Sequence, residues 1–240
     1  HVYLLGKVPS PKILLKAFEE VKPNLILTVP LILEKIYKKM ILPQLSKTTM
    51  KVALNIPLLD SRIYAQIRKK LVDAFGGRFR EVIVGGAAMN EEVTNFLYKI
   101  KFPFTIGYGM TECGPLISYD HNDEYVPGSC GQILKGIMKV RIDSEDPCNK
   151  VGEIQVSGEN VMKGYYKNEE ATSKVFTEDG WLRTGDLGTI DADNRIYIRG
   201  RSKTMILGAS GQNIYPEEIE SKLNNLPFVM ESIIIEKNGK

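Results

Sequence analysis

Residues 105–115 read Thr-Ile-Gly-Tyr-Gly-Met-Thr-Glu-Cys-Gly-Pro and continue an apolar run that predicts a buried strand. Gly107 and Gly109 stand on either side of an aromatic residue. Glycine has no Cβ atom and therefore lets the backbone come close to a ligand. Two interpretations fit such a stretch, namely a ligand-binding loop or a glycine-rich turn at the end of a strand.

Three side chains within the stretch favour the ligand-binding loop, and the ligand they favour is a nucleotide. Tyr108 offers an aromatic face on which a base can stack, and the Thr111 hydroxyl can donate to a phosphate oxygen. Glu112 offers a carboxylate to Mg²⁺, a cation that takes carboxylate and phosphate oxygens as ligands. On this interpretation Thr111 and Glu112 lie near phosphates, with Glu112 as the metal ligand, whereas on the other interpretation the stretch is only a turn.

Predicted strands and helices alternate before this stretch. Such alternation indicates a mostly parallel sheet with helices on its faces. Gly85 and Gly86 follow one of the strands, where open α/β sheets bind ligands; the alternative is a tight turn into a helix capped by Asn90. Strands are predicted at 25–29, 80–84 and 102–106, and helices at 10–21, 31–41, 47–55 and 61–75.

The predicted helix at 61–75 carries four basic residues, Arg62, Arg68, Lys69 and Lys70. A basic helix of this kind binds an anionic lipid surface or forms an ordinary solvated face. Peripheral contact with a membrane is therefore one of the two interpretations of this helix.

After Pro115, long helices give way to short β-prone runs separated by Gly, Asp and Asn. This pattern predicts a small antiparallel, barrel-like β subdomain. Residues 191–195, Asp-Ala-Asp-Asn-Arg, predict a hairpin turn with Asn194 at a position that tolerates positive φ. Pro216, followed by two glutamates, predicts the first turn of a helix.

Composition and charge exclude several classes of protein. The chain has 240 residues, of which 43% are hydrophobic and 25% charged, as in ordinary globular proteins. Its 32 basic and 29 acidic residues give a net charge of +3, so nucleic acid is not an expected partner. No apolar stretch is long enough to cross a bilayer.

Cysteine and histidine usage excludes further classes. Cys113, Cys130 and Cys148 are widely spaced, which argues against a disulfide framework or a zinc site and favours a reducing, cytoplasmic location. His1 is terminal, and His121 lies in a polar segment that we interpret as surface. We therefore do not expect a histidine-dependent hydrolase.

Two further stretches occur in the same order, and at similar spacing, as in one large enzyme family. They are Trp181-Leu-Arg-Thr-Gly-Asp186, and Gly200-Arg-Ser-Lys203 followed by Gly-Gln-Asn-Ile-Tyr-Pro-Glu-Glu-Ile-Glu at 211–220. Together with residues 105–115 they resemble the adenylate-forming (AMP-binding) enzymes, and within them the long-chain fatty acid CoA ligases. The resemblance covers nearly all of the chain.

This resemblance implies an α/β fold in three parts: a mostly parallel sheet flanked by helices, an antiparallel β subdomain, and the start of an α+β C-terminal domain. The corresponding domains would be 1–122, 123–200 and 201–240. The family's phosphate-gripping loop is expected before His1 and its catalytic lysine after Lys240. We therefore expect the sequence to be the middle of such an enzyme and to be inactive alone.

The resemblance also implies a reaction with ATP, Mg²⁺ and coenzyme A, in which a fatty acid becomes acyl-AMP and CoA then displaces AMP. Asp186, which follows a glycine and is predicted to lie in a turn between β runs, would bind ribose. Arg201 would bind ribose and phosphate, and Tyr108 adenine. Thr111 and Glu112 would be the catalytic residues near the phosphates, with Glu112 holding Mg²⁺. Lys203 would be the hinge between the two half-reactions. The other residues implied in binding nucleotide, acyl chain or CoA are Gly85, Gly86, Ala87, Gly107, Gly109, Thr111 and Gly211.

Two other functions are open at this point. One keeps the adenylation step but changes the acid or the acceptor, for example to an aryl acid or a carrier-protein thiol. The other is a catalytically silent nucleotide-binding scaffold that retains the fold.

Overall fold

The computed structural model describes residues 2–3, 10–208, 212–226, 229 and 231–236. By its internal contacts the chain divides into two compact units, one of residues 1–105 with 121–127 and one of residues 106–120 with 128–240. The predicted nucleotide motif, except for its first residue, therefore belongs to the second unit. The predicted domain borders after residues 122 and 200 stay a prediction.

The first unit contains a three-stranded sheet in the order β1, β2, β3. Strands β1 (Leu25–Thr28) and β2 (Glu81–Val84) run parallel, so the predicted parallel pairing is confirmed. The β3 strand (Phe104–Ile106) lies on the other side of β2. Val82 and Val84 of the central strand are fully buried, as expected for a strand covered on both faces.

Helices surround this sheet, and two begin at the predicted caps. The Ser10 hydroxyl accepts the Ile13 N–H, and the Asn90 side chain accepts the N–H groups of Glu92 and Val93, which satisfies otherwise unpaired donors. The helices of the first unit are α1 (Pro11–Val21), α2 (Pro30–Ile36), α3 (Leu42–Leu45), α4 (Thr48–Leu54), α5 (Leu59–Ala74) and α6 (Glu91–Lys99).

The predicted helix at 31–41 is interrupted. A π-helical turn, Tyr37–Ile41, connects α2 to α3. Pro43 explains the change, because proline lacks an N–H and its ring clashes with the carbonyl four residues earlier in a regular α-helix. The wider turn just before it relieves both constraints.

Aromatic rings form the core of the first unit. The Phe75 ring is almost completely buried and contacts the rings of Phe18, Phe79 and Phe102, with ring centroids 5.3 to 5.9 Å apart. These residues come from α1, from the end of α5 and from the segments that lead into β2 and β3. The cluster therefore holds the helices against the sheet.

An antiparallel sheet organises the second unit. Its strands form a meander in the order β6 (Met138–Asp143), β7 (Gly152–Gly158), β8 (Leu182–Ile190) and β9 (Ile196–Arg201). The motif supplies a separate hairpin of β4 (Tyr108–Gly109) and β5 (Leu116–Ser118).

One core joins the motif hairpin to the meander. Bridges from Ser118 to Ile133 and from Gln132 to Arg195 continue the strand pairing between the two sheets. The residues of this core are Tyr108, Cys113, Ile117, Met138, Ile142, Ile154, Val156, Leu182 and Ile196.

The turn between β8 and β9 has the predicted conformation. Asn194 adopts a left-handed φ of 63°, and the Asp191 carboxylate accepts the N–H groups of Asp193 and Arg195. Local side-chain to backbone hydrogen bonds of this kind stabilise tight turns.

The last part of the second unit packs on β9. It comprises the short pair β10 (Ile206–Leu207) and β11 (Asn213–Ile214), and helix α8 (Pro216–Leu223), which begins at the predicted proline. One oxygen of Glu217 accepts the Thr204 hydroxyl at 2.6 Å. The other oxygen, Oε2, is buried without a hydrogen-bond partner among the described residues.

A buried ion pair ties the motif segment to the β8–β9 turn. Arg195 Nε lies 3.1 Å from Asp120 Oδ2, and the Asp120 side chain is 2% exposed. The second Asp120 oxygen accepts the Gln132 N–H. Arg195 also contacts Asp193, whose side chain is 72% exposed.

Removal of each of these two partners of Arg195 should lower the free energy of unfolding by a different amount. Asp120→Ala should lower the free energy of unfolding by at least about 2 kcal/mol, because it leaves buried donors without an acceptor. Asp193→Ala should cost less than about 1 kcal/mol, because water replaces an exposed partner. Urea unfolding of both variants measures the difference. Equal losses in the free energy of unfolding would show that burial of the Asp120–Arg195 pair does not contribute to stability.

Candidate functional site

The predicted nucleotide motif folds as a tight hairpin around a 3₁₀ turn. Thr111–Cys113 form the turn, and Gly114 ends it with a left-handed φ of 61°. A Cβ atom on Gly109 would clash with the carbonyl oxygen of Pro115 across the hairpin. Glycine is therefore required at this position by the fold itself, independently of any ligand.

Tyr108 and Asp186 meet in the structure. The Tyr108 hydroxyl donates to Asp186 Oδ2 at 2.8 Å, and both residues are 7% exposed. Burial and then the Asp186 charge raise the pKa of Tyr108 well above its usual value. The phenol therefore stays protonated and acts as the donor in this pair.

Arg201 completes the group on the opposite side of the carboxylate. It stands directly across from Asp186 in the β8–β9 register, and its Nε lies 3.1 Å from Asp186 Oδ1. The Arg201 side chain is 72% exposed, whereas that of Asp186 is 10% exposed. The structure thus brings together the three residues that sequence reasoning assigned to adenine, ribose and phosphate, and we call them the Tyr–Asp–Arg group.

Asp186 lies inside strand β8, and the expected position in a turn between β runs is wrong. Gly185, with φ of 73°, and a register shift after Leu187 distort the strand around it. The Asp186 N–H donates to the Thr184 hydroxyl, which in turn donates to the Ile154 carbonyl. The carboxylate is therefore held on an irregular but hydrogen-bonded strand.

The geometry limits how a nucleotide can bind here. Tyr108 and Asp186 are in direct contact, so no nucleoside fits between them. Each Asp186 oxygen already has one partner, and a carboxylate oxygen can accept a second hydrogen bond. A ribose would therefore bind as an additional donor at the exposed edge of the group.

Glu112 sits in a different environment from Asp186. It is partly exposed, and its Oε1 accepts the Tyr165 hydroxyl at 2.9 Å. Its Oε2 has no hydrogen-bond partner among the described residues. No group of three metal-ligating side chains occurs in the part of the chain that the structure describes. One free carboxylate oxygen fits Mg²⁺ that arrives on a nucleotide, because Mg²⁺ keeps phosphates and water as its other ligands.

Other predicted site residues in this unit are accessible. Thr111 and Lys203 are exposed, and neither side chain has a hydrogen-bond partner among the described residues. Lys203 follows Ser202, whose N–H donates to the Gly185 carbonyl and is the last bond that anchors β9 to β8. Gly107 is half-buried at the start of the motif hairpin. Gly211 lies outside the described residues.

The glycines after β2 belong to the first unit. The Gly85 N–H donates to the Thr28 carbonyl, and Gly86 has a left-handed φ of 88°. Ala87 is exposed beside them. These residues lie at the carboxyl end of a parallel strand, and both the predicted turn and a ligand role are compatible with that position.

Sequence reasoning missed three residues that support the site: Asn160, Tyr165 and Thr184. Thr184 lies in a stretch that was recognised, but its hydroxyl holds the backbone of Asp186 and was given no role. Tyr165 contacts a residue 53 positions earlier in the chain. A contact over that distance leaves no periodic or local signal in a single sequence.

The cysteines play no part in the site. All three are free thiols, in agreement with the sequence. Burial, and secondarily the charge of Glu112, raise the pKa of Cys113 to about 11, and burial raises that of Cys130 to about 12. Both remain protonated at neutral pH. None of the described helices is long and apolar enough to span a membrane.

Curated proteins with similar sequences include CoA ligases. Long-chain-fatty-acid–CoA ligase 1 of Saccharomyces cerevisiae is 28% identical over 239 residues, covering 92% of this chain and 34% of the yeast protein. The 4-coumarate-CoA ligase 1 of Narcissus pseudonarcissus is 33% identical over 192 residues, covering 75% and 35% of the two chains. The chain thus spans about a third of the length of these relatives.

Solved structures of adenylate-forming enzymes have the same fold. ATP-bound MatB from Rhodopseudomonas palustris superimposes with a TM-score of 0.70 at 28% identity, covering 97% of this chain and 41% of MatB. The o-succinylbenzoate CoA synthetase of Bacillus subtilis, in complex with ATP and magnesium, gives 0.68 at 26% identity, covering 92% and 40%. The sequence also matches the family of AMP-binding enzymes over residues 1–166. From the fold, the arrangement of the motifs and this match, the chain belongs to the AMP-binding enzyme family.

Proposed function

We propose that this chain supplies the nucleotide-binding part of an AMP-forming ligase that activates a long-chain fatty acid and transfers it to CoA. The observation that carries the proposal is the Tyr–Asp–Arg group, in which side chains of β4, β8 and β9 are joined by direct contacts. Similar enzymes of known structure contain ATP, and one contains an acyl-adenylate.

In the first half-reaction the fatty acid carboxylate attacks the α-phosphate of ATP, and pyrophosphate leaves. Asp186 accepts hydrogen bonds from the ribose hydroxyls and so fixes the nucleotide relative to the protein. Arg201 contacts Asp186 through Nε, which leaves the other guanidinium N–H groups to donate to ribose and phosphate. Tyr108 is 7% exposed, so only a small part of its ring would face adenine.

Mg²⁺, when bound, would neutralise negative charge on the phosphates. Glu112 would hold the ion through Oε2, and the exposed Thr111 hydroxyl would donate to a phosphate oxygen. Neither group forms a covalent bond in this scheme. Their contribution is charge neutralisation and alignment, on which phosphoryl-transfer chemistry chiefly depends.

In the second half-reaction the CoA thiolate attacks the acyl carbonyl, and AMP leaves. The segment after Lys203 would change its orientation between the two steps, with Lys203 as the hinge and the loop around Gly211 moving toward CoA. The hydrogen bond from the Ser202 N–H to the Gly185 carbonyl ends the pairing of β9 with β8 directly before Lys203, which supports a hinge at this position. A hinge needs backbone freedom and no reactive side chain.

A second candidate acid is an aryl acid. The similarity to the Narcissus 4-coumarate ligase has a higher identity over a shorter overlap than the similarity to the yeast enzyme. The longer overlap with the fatty acid ligase is the reason for preferring a fatty acid. Trapping the activated acyl group with hydroxylamine, over a panel of fatty and aryl acids, discriminates between the two, and transfer to CoA or to a carrier protein identifies the acceptor.

We further propose that the protein contacts anionic membranes at the periphery, where its substrate would reside. Between Lys35 and Lys70 there are nine basic residues and one acid, Asp60, although basic and acidic residues are nearly balanced in the whole chain. The turn between α4 and α5 exposes apolar side chains, and Leu58 is 80% exposed with a left-handed φ of 71°. Basic charge around an apolar tip is the pattern of interfacial binding.

Asp186→Asn should weaken ATP binding about 10- to 100-fold, because an amide keeps the shape but loses the charge-assisted hydrogen bonds to ribose. Asp191→Asn is the matched control, because Asp191 also accepts a tyrosine hydroxyl, that of Tyr197, but lies in the β8–β9 turn. Calorimetric titration with ATP measures both. Equal affinities of the two variants would contradict the ribose assignment.

Glu112→Ala should lower pyrophosphate release about 10²- to 10³-fold, the usual cost of losing one preorganised electrostatic group. The assay uses the full reading frame that encodes this chain, with ATP, Mg²⁺ and a long-chain fatty acid. Glu159→Ala, at an exposed acid of the same unit, should release pyrophosphate at the normal rate. A protein that binds ATP but releases no pyrophosphate with any acid would instead favour the silent scaffold.

Lys51→Glu combined with Arg62→Glu should reduce binding to vesicles of phosphatidylcholine and phosphatidylserine more than tenfold, since each basic residue near an anionic surface contributes about 1 kcal/mol. Lys139→Glu with Lys163→Glu makes the same change in net charge on the second unit and should have little effect. Vesicle sedimentation provides the measurement. Binding that is equal for both double variants, or absent in the unmodified protein, would rule out this surface.

A further inference from the structure

The segment 160–165, which we call the brace, is bonded to the 3₁₀ turn of the nucleotide motif. The Asn160 side-chain amide donates to the carbonyl oxygens of Cys113 at 2.6 Å and Leu116 at 2.9 Å. These two carbonyls lie on either side of the Gly114-Pro115 corner. The amide therefore fixes the far side of the turn.

The same brace holds Glu112 at two points. The Met162 N–H donates to the Glu112 carbonyl oxygen at 2.7 Å, and the Tyr165 hydroxyl donates to Glu112 Oε1 at 2.9 Å. Backbone and side chain of the one acid in the motif are thus both held by a segment about fifty residues later in the sequence. A surface carboxylate held in this way loses rotational freedom that it would otherwise keep.

Tyr165 is itself fixed through its backbone. Its N–H donates to the Thr172 hydroxyl at 2.9 Å, and that hydroxyl donates to the carbonyl of Asn168, the N-cap residue of helix α7 (Glu169–Val175). Gly164 has φ of 149°, and a Cβ atom there would lie 2.8 Å from Thr172 Cγ2. Close approach of the brace to α7 therefore sets the position of the tyrosine ring.

In the hydrogen bond between Tyr165 and Glu112 the phenol O–H is the donor and the carboxylate oxygen Oε1 is the acceptor, at 2.9 Å. This contact occupies Oε1. Oε2 is left as the oxygen without a partner among the described residues.

We infer that Tyr165 is a positioning residue that orients the Glu112 carboxylate so that Oε2 ligates the Mg²⁺ carried by ATP. The inference rests on the proposed role of Glu112 as metal ligand and assigns a function to a residue outside the nucleotide motifs. Partners that orient ligating carboxylates are a general feature of metal sites, and their removal typically costs about 10- to 100-fold in metal affinity.

The experiment measures metal affinity directly, with Mn²⁺ as a paramagnetic substitute for Mg²⁺. In the full reading frame that encodes this chain, Mn²⁺ is titrated in the presence of ATP and followed by electron paramagnetic resonance. Tyr165→Phe should raise the Mn²⁺ concentration at half-saturation about 10- to 100-fold. ATP binding measured in EDTA should stay unchanged, because the variant alters none of the nucleotide contacts.

Tyr166→Phe is the matched control. It removes the same hydroxyl from the neighbouring tyrosine, which is 88% exposed and has the Lys167 ammonium 5.3 Å from its ring centroid. This variant should titrate like the unmodified protein. Tyr165→Leu also lacks the hydroxyl and should give the same shift as Tyr165→Phe, with thermal midpoints recorded for all variants.

The outcomes separate the inference from the function on which it rests. If Glu112→Ala does not change Mn²⁺ affinity, Glu112 is not the metal ligand. The proposed role of Glu112 and the inference about Tyr165 are then both wrong. If Glu112→Ala weakens Mn²⁺ binding but Tyr165→Phe does not, only the positioning role of Tyr165 is overturned. A loss of ATP binding in EDTA by Tyr165→Phe would also overturn it, since the tyrosine would then support the fold of the site and not the metal.

Discussion

The second unit depends on the burial of one carboxylate. Asp186 lies inside a strand, nearly inaccessible to water, and an unpaired charge in that position would be strongly destabilising. Tyr108 and Arg201 supply the partners, one from the motif hairpin and one from the neighbouring strand. The contacts of Tyr108 and Arg201 with this carboxylate therefore fix the motif hairpin onto the meander. They also bring together residues that are far apart in the sequence.

Two acids of the candidate site differ because their surroundings differ. Asp186 has both oxygens engaged and is almost wholly enclosed, so it is suited to fixed recognition of neutral hydroxyl donors. Glu112 is partly exposed with one oxygen held and the other open, so it is suited to a hydrated cation. The same functional group thus has two different environments on one small β unit, which differ in the number of its protein partners and in its access to water.

Features that depend on neighbouring residues could be predicted from the sequence. The caps at Ser10 and Asn90 and the turn at Asn194 arise from side chains that bond their own local backbone, so each leaves a local pattern. The sequence predicted Asp186 in a turn because a glycine precedes it. A bulged strand can also contain a glycine at such a position, so the two structures cannot be told apart from the sequence. The role of Tyr165 was not predicted, because its contact with Glu112 depends on how distant segments pack.

Helix α8 rests on β9 through a close approach at one glycine. Gly200 packs against Tyr215 and Glu217, and a Cβ atom at Gly200 would lie 3.0 Å from Glu217 Oε2. The Thr204 hydroxyl donates to the other oxygen of Glu217, and the ion pair from Arg199 to Glu218 spans 3.7 Å at the surface. The attachment of the helix therefore combines one close packing contact with polar contacts at its margin. Added salt would weaken the surface ion pair by screening and would leave the packing at Gly200 in place.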